Sequence, residues 1–501
     1  SGSLGVSNFG VMNFNAAGSI GGRGYATDAG RIHVNANVSL GDFAIAWTGG
    51  GYDLASGVLA APRMYFSGAT SIVRTGGSFA TTDLYLLNGA SLSYKASDSL
   101  APGFVDVETS AVLTLERNLV TNYIQLYTGG SLARSSGTIT AKTIDAEAST
   151  VDLMAGDLFT GDGNWSAVGS GGVMNVAGGV TTGPIVSYGT NGLGTRSALH
   201  VNGNMTVNGE LQSRSGGVVD FHAGTVTSQS IALWGSGSLQ QTGGNYHTGT
   251  MWMFDSTQVN YGAGDSIADY VNMYSGSQLT LDRNLTLSGW INLHDGASIG
   301  RTTQTISAQG FTADNSSLNL VNGDTFTSGW SQVANGGIVN VAEGVTTGDV
   351  ATYGTNSLGF NSRINVNGNM TVNGEMQAGN GGIADLRSGT VTARSLALWG
   401  PTALQQSGGY YYIGTLWLKD GAAIAYGSGD TVTDNVNMDN SSSLTLDRSL
   451  ALTGLLSLQS GAAISRTTQT ISASRFNVNN ATLDLLNGDA FNGCLLYTSP
   501  S

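Results

Sequence analysis

Val271-Asn-Met-Tyr-Ser-Gly-Ser-Gln-Leu279 and Ile291-Asn-Leu-His-Asp-Gly-Ala-Ser-Ile299 are one pattern written twice, 20 residues apart. Each opens apolar, polar, apolar, turns through a small or polar residue and Gly, and returns to an apolar residue eight positions after the first. The opening position recurs at the same spacing as Leu211, Ile231 and Met251 upstream and as Phe311 downstream. It also appears at Met64, Leu84, Val105, Ile124 and Ile144, and at Met376, Leu396, Leu416, Val436, Leu456 and Phe476. A further apolar site falls about 15 residues into each unit, at Val226, Tyr246, Ile267, Leu287 and Ile306. Each unit therefore predicts three short strands with alternating side chains, separated by corners of Gly, Ser, Asn or Asp.

A three-strand unit of 20 residues cannot bury its apolar face alone. Stacked copies can, because each strand then pairs with its equivalent one rung away. The sequence thus predicts an all-β fold, a single-stranded parallel β-helix with three-strand rungs of about 20 residues, right-handed by the usual rule for parallel crossovers. About 22 to 24 rungs are expected, a rod of about 105–115 Å at the usual strand spacing. The 75 Gly suit corners that need positive φ, and the 5 Pro suit ladders that need every N–H. Separate globular domains are disfavoured, since Phe311, Trp330 and Val350 carry the register through without a charged or Pro-rich linker.

A longer period lies over the short one. Val201-Asn-Gly-Asn-Met-Thr-Val-Asn-Gly-Glu210 returns unchanged at Val366 to Glu375, and Arg301-Thr-Thr-Gln-Thr-Ile-Ser-Ala308 at Arg466 to Ala473, both 165 residues later. Leu113-Thr-Leu-Glu-Arg-Asn-Leu119 marks a diverged earlier copy. The long copies are assigned to residues 1–164, 165–329 and 330–493. One unit in the long period, between Ile185 and Leu211, is about six residues longer than the rest. The closing octapeptide Cys494-Leu-Leu-Tyr-Thr-Ser-Pro-Ser501 departs from everything before it and resembles a translated sequencing adapter. Residues 494–501 are accordingly expected not to be native, and the rest to be a fragment of a metagenomic reading frame whose signal peptide and anchor lie outside it.

Composition narrows the function. Charged residues are only 10% of the chain and the net charge is −14, with Lys confined to Lys95, Lys142 and Lys419. Such a surface repels polyanions, which argues against nucleic acid and anionic lipid. No apolar run reaches the roughly 20 residues of a membrane-spanning helix. The single Cys allows no intrachain disulfide, so burial and backbone pairing must hold the fold.

The Thr, Ser, Asn and Gly-rich unit typified by Thr286-Leu-Ser-Gly-Trp-Ile-Asn-Leu-His-Asp-Gly-Ala-Ser-Ile299 resembles the β-strand repeats associated with bacterial autotransporters, and more broadly the passenger regions of large surface adhesins. The resemblance covers about residues 1–493 and is specific for architecture, not activity. It implies an extracellular or outer-membrane-associated protein, an adhesin stalk displaying repeated weak binding surface. Surface glycans or proteins of a host or neighbouring cell would be its partners.

No nucleophile, Walker or zinc-spaced motif appears. No catalytic residue, cofactor or metal ligand is assigned, and the expectation is a protein that is not an enzyme. His33, His200, His222, His247 and His294 read as scattered outward or corner residues. Asp282-Arg283, with its counterparts Asp447-Arg448 and Glu116-Arg117, reads as a repeated corner salt link. The alternative function is a carbohydrate-active enzyme, a polysaccharide lyase or hydrolase, which would need carboxylates converging on one face. A second alternative is a glycan-binding module. Its candidate contacts are aromatic: Trp234, Tyr246, Trp252, Phe254 and Tyr274, then Trp399, Tyr410, Tyr411, Tyr412 and Trp417 in the next copy. Exposed rings in rows can stack on sugars. They also have high β-propensity and can simply stabilise ladders, and Tyr246 fits the apolar row as well.

Overall fold

The computed structural model describes residues 2–134, 136–189, 196–235, 237–327, 330–353 and 362–493. The adapter-like segment 494–501 lies outside them. The chain is a β-solenoid of about 24 turns, with parallel strands and rungs about 20 residues apart. It divides into two compact units, Ser1–Thr248 with Gly264–Ser266, and Gly249–Ala263 with Ile267–Ser501.

In the first unit the first strand of each rung pairs in parallel with that of the next. Phe43–Ala46 pairs Arg63–Ser67, which pairs Asp83–Leu87, then Phe104–Glu108, Tyr123–Tyr127 and Thr143–Glu147. Register places Met64 over Leu84, Val105, Ile124 and Ile144, and all five are buried. This is the apolar column read from sequence. Fully burying each such side chain contributes roughly 1.5–3 kcal/mol. In the second unit Val271, Ile291 and Phe311 form one such column, and Leu396, Leu416, Val436 and Leu456 another. A second sheet there runs in parallel from Gln258–Tyr261 to Leu404–Gln406.

The first corner of a rung is a pair of left-handed residues. Asp295 and Gly296 have φ of 52° and 82°. Asp tolerates that region through its short polar side chain and Gly has no Cβ to clash. The third corner departs from the sequence expectation in both long copies. Met205–Arg214 and Met370–Gly379 are single strands of 10 residues, each carrying the third strand of one rung into the first strand of the next. Register slips at Val207/Glu210 and Val372/Glu375, so these corners are β-bulges instead of turns. In the first copy the corresponding corner breaks the strand, at Ala61-Pro62, at Thr82 and at Lys142.

Glu116-Arg117 and Asp447-Arg448 form no ion pair among the described residues. Arg117 lies over Tyr94 at 5.3 Å and Arg448 over Tyr426 at 5.5 Å, and both donate to carbonyls. The ion pairs join an Arg to an Asp in the next rung: Arg74 to Asp98, Arg134 to Asp157, Arg301 to Asp324 and Arg466 to Asp489. Each Asp also accepts from the backbone. Asp324 takes the N–H of Ile306 at 2.7 Å and of Val321 at 2.8 Å, and Asp489 takes those of Ile471 and Leu486. At two corners Gln replaces Arg, Gln241 on Asp265 and Gln406 on Asp430. The carboxylate ties strand ends to a corner that lacks regular pairing.

Candidate functional site

The aromatic residues singled out in sequence divide three ways. Tyr246 and Tyr411 are 0% exposed and belong to the core. They occupy inward positions of Asn245–Phe254 and Tyr410–Lys419, so neither can touch a partner. Trp252, Phe254 and Tyr274 face outward but are half-buried. Phe254 and Tyr274 stack at 5.1 Å and 11°, Tyr274 and His294 at 4.8 Å and 7°, and Trp252 lies parallel to Phe254 at 6.3 Å. Rings stacked this way cover one another's faces and offer edges to solvent. Trp234 and Trp399 are also half-buried, and the Trp399 ring lies across Gly379.

Tyr410, Tyr412 and Trp417 remain open, at 43%, 51% and 37% exposure. The Lys419 ammonium sits 5.6 Å from the Trp417 ring centroid. Trp417, Lys419, Asn437, Asp439, Ser457 and Gln459 line a depression of about 190 Å³. A ring face beside amides, a carboxylate and an ammonium is suitable chemistry for a sugar.

A longer aromatic row lies in the first unit. Phe43, Tyr65, Tyr85, Phe104 and Tyr123 contact in succession, at 5.5, 4.2, 5.7 and 6.5 Å between centroids. Arg23 and Arg63 lie over Phe43. The residues are about 20 apart, so the row was visible once outward positions were tracked along with inward ones.

The row leads to four acids on the same outer face. Tyr85 is in register with Asp106, followed by Gln125 and Asp145, while Glu108, Tyr127 and Glu147 form a parallel column two residues on. Burial, then the charge of Glu108 and a hydrogen bond with it, push Asp106 up to about 7. Burial and then Glu147 push Asp145 up to about 6. Glu147 accepts the Tyr188 hydroxyl at 2.6 Å. Asp106 can therefore hold a proton near neutral pH, the state a general acid requires. The signal was Asp106-Val-Glu108 and Asp145-Ala-Glu147, two alternating acid pairs two rungs apart.

The structure also gathers two of the histidines read as scattered. His200 and Asp220 are in register on adjacent rungs, in strands Ala198–Val201 and Val218–Phe221 of a five-stranded parallel sheet of the first unit, and His222 lies two residues beyond Asp220 on the same outer side. These three could hold a metal ion.

No family model and no curated protein matches the chain. Among the described residues no helix is long and apolar enough to cross a membrane.

Proposed function

We propose that the chain is a structural repeat scaffold, an extracellular or cell-surface stalk of the adhesin kind, with its contact surface at the open rings of the third long copy. The observation that carries this reading is how the outward side chains are used. In the Asn ladders and the ring stack they bond along the axis to their equivalents one rung away. Asn340 donates to Asn319 and Asn365 to Asn340, both at 2.8 Å, and Asn292 donates to Asn272 at 2.8 Å. The stack from Phe254 through Tyr274 to His294 does the same with rings. Such ladders hold a solenoid together without disulfides, and the sparse charge of the chain fits outer columns built of polar, uncharged side chains. The repeat pattern's likeness to autotransporter-associated repeats supports the location. Affinity electrophoresis through gels cast with bacterial and host glycans tests the contact surface. Retardation that disappears in Trp417→Ala supports it, and unretarded migration in every gel removes it.

A carbohydrate-active enzyme is the second reading, and the Asp106–Glu108 pair beside Tyr85, Phe104 and Tyr123 favours it. Incubation with a panel of polysaccharides, followed by reducing-end and unsaturated-product assays, separates the two readings. Turnover lost in Asp106→Asn would establish the enzyme.

A further inference from the structure

We propose that His200, Asp220 and His222 form a binding site for one divalent transition-metal ion of the zinc type, held on the outer face of the five-stranded sheet that contains Ala198–Val201 and Val218–Phe221. The three donor atoms form a nearly equilateral triangle. His222 Nε2 lies 3.0 Å from Asp220 Oδ2, His200 Nδ1 lies 3.5 Å from the same oxygen, and the two nitrogens are 3.2 Å apart. Zinc bonds of 2.0–2.1 Å in a tetrahedron place neighbouring donors about 3.3–3.4 Å apart. The triangle is thus one face of such a tetrahedron.

Protons satisfy this arrangement poorly. If both imidazoles donate to Asp220, their hydrogens are brought close to contact across the short nitrogen–nitrogen edge. If one imidazole donates to the other, the carboxylate loses a donor. A cation at the centre satisfies all three edges at once. Thr242 completes the orientation, with Oγ1 at 2.9 Å from His222 Nδ1 and 3.3 Å from Asp220 Oδ1. With the proton on Nδ1, the imidazole donates to Thr242 and Thr242 donates to Asp220. The Nε2 lone pair then points into the triangle, the kind of outer support that metal-bound histidines have.

The third copy shows what this position requires. There Asp385 stands where Asp220 does, and Arg387 and Arg363 replace His222 and Ala198. Both guanidinium groups reach Asp385 Oδ2, at 2.9 and 3.1 Å. Asn365, in place of His200, joins the Asn ladder instead. The carboxylate faces two permanent positive charges in one copy, and two imidazoles in the other. A bound ion supplies the missing charge. Imidazole donors favour zinc, copper or nickel over calcium or magnesium.

The test is calorimetric titration of the chelator-stripped chain with zinc chloride, with cobalt substitution to read geometry from the visible spectrum. The expected result is one ion per chain and the absorption of tetrahedral cobalt. His222→Arg and His200→Asn, which install the third copy's own residues, should remove binding while leaving the strand signal in circular dichroism unchanged. Thr242→Val should weaken binding about 10–100-fold. No uptake by the unaltered chain overturns the proposal, as does uptake that His222→Arg leaves intact.

Discussion

The second and third long copies place the same backbone at positions 165 residues apart and put it to different uses. Trp252, Phe254, Tyr274 and His294 of one become Trp417, Lys419, Asp439 and Gln459 of the other. In the second copy the rings lie parallel and close on one another. In the third, Trp417 keeps its place but loses its aromatic neighbours, and a depression opens around it. The corner carboxylates do not change in this way: Arg301 and Asp324 return as Arg466 and Asp489, and Gln241 and Asp265 as Gln406 and Asp430. The solenoid depends on its corners and its apolar columns, whereas the outward columns can be rewritten without touching either.

If that division holds, the largest losses come from the corners. Asp324→Ala leaves the buried Arg301 guanidinium without its partner and two backbone N–H groups without their acceptor. The expected cost is about 3–5 kcal/mol, the range for breaking a buried pair from one side. Gln406→Ala at the uncharged version of the corner should cost only about 1 kcal/mol. Urea unfolding followed by circular dichroism measures both, and equal losses would erase the distinction between the two corners.

The columns were legible in sequence because burial in a solenoid writes directly into a period of 20: Val271, Ile291 and Phe311 announce themselves. The Asp corners were not, because Arg301 and Asp324 are 23 apart, one rung plus three residues around a bend. The adjacent Asp447-Arg448 looked like the better pair. The rings were ambiguous for a different reason. Parity alone puts Tyr246 in the core and Trp252 outside, but side-chain torsions decide whether an outward ring shows its face or its edge. His200 and His222 are 22 apart, one rung plus two, so the fixed register brings them together although their spacing in sequence matches no metal motif.

Acids with and without a cation should respond oppositely to pH. Arg466 and two backbone N–H groups hold Asp489 down to about 2, from 3.8. Its stabilising contribution is present above about pH 4 and lost as pH falls through about 2. Burial, and then Glu108 beside it, raise Asp106 to about 7. The folded state prefers it protonated, so its contribution is present below about pH 4 and lost as pH rises through about 7. Asp106→Asn should therefore stabilise the chain at pH 8 and change nothing at pH 4. A gain of equal size at both values would mean that Asp106 does not titrate as its surroundings dictate.

Within the outward columns the contrast is between a ring that is stacked and one that is not. Tyr274→Ala removes the middle of a stack with Phe254 on one side and His294 on the other. It should cost about 0.5–1.5 kcal/mol beyond the loss of buried area, the worth of such aromatic contacts.

Trp417→Ala should be the quietest of all for stability, within about ±0.5 kcal/mol, as is usual for exposed positions with no structural task. The ring is open to solvent on the side of the depression, and Lys419 is its cationic neighbour. A cation–π contact at an exposed site contributes only ~0.5–1 kcal/mol, and the freed ammonium can return to water. If Trp417→Ala instead destabilised as much as Tyr274→Ala, the ring would be a ladder element and the contact surface would lose its centre. If it leaves folding untouched and abolishes glycan retention, the same outward column serves as a brace in one copy and as a binding surface in the next. Installing the second copy's residues, Lys419→Phe with Asp439→Tyr, should then restack the column, raise stability and suppress retention together. That opposite movement of two readouts is something a merely structural Trp417 would not produce.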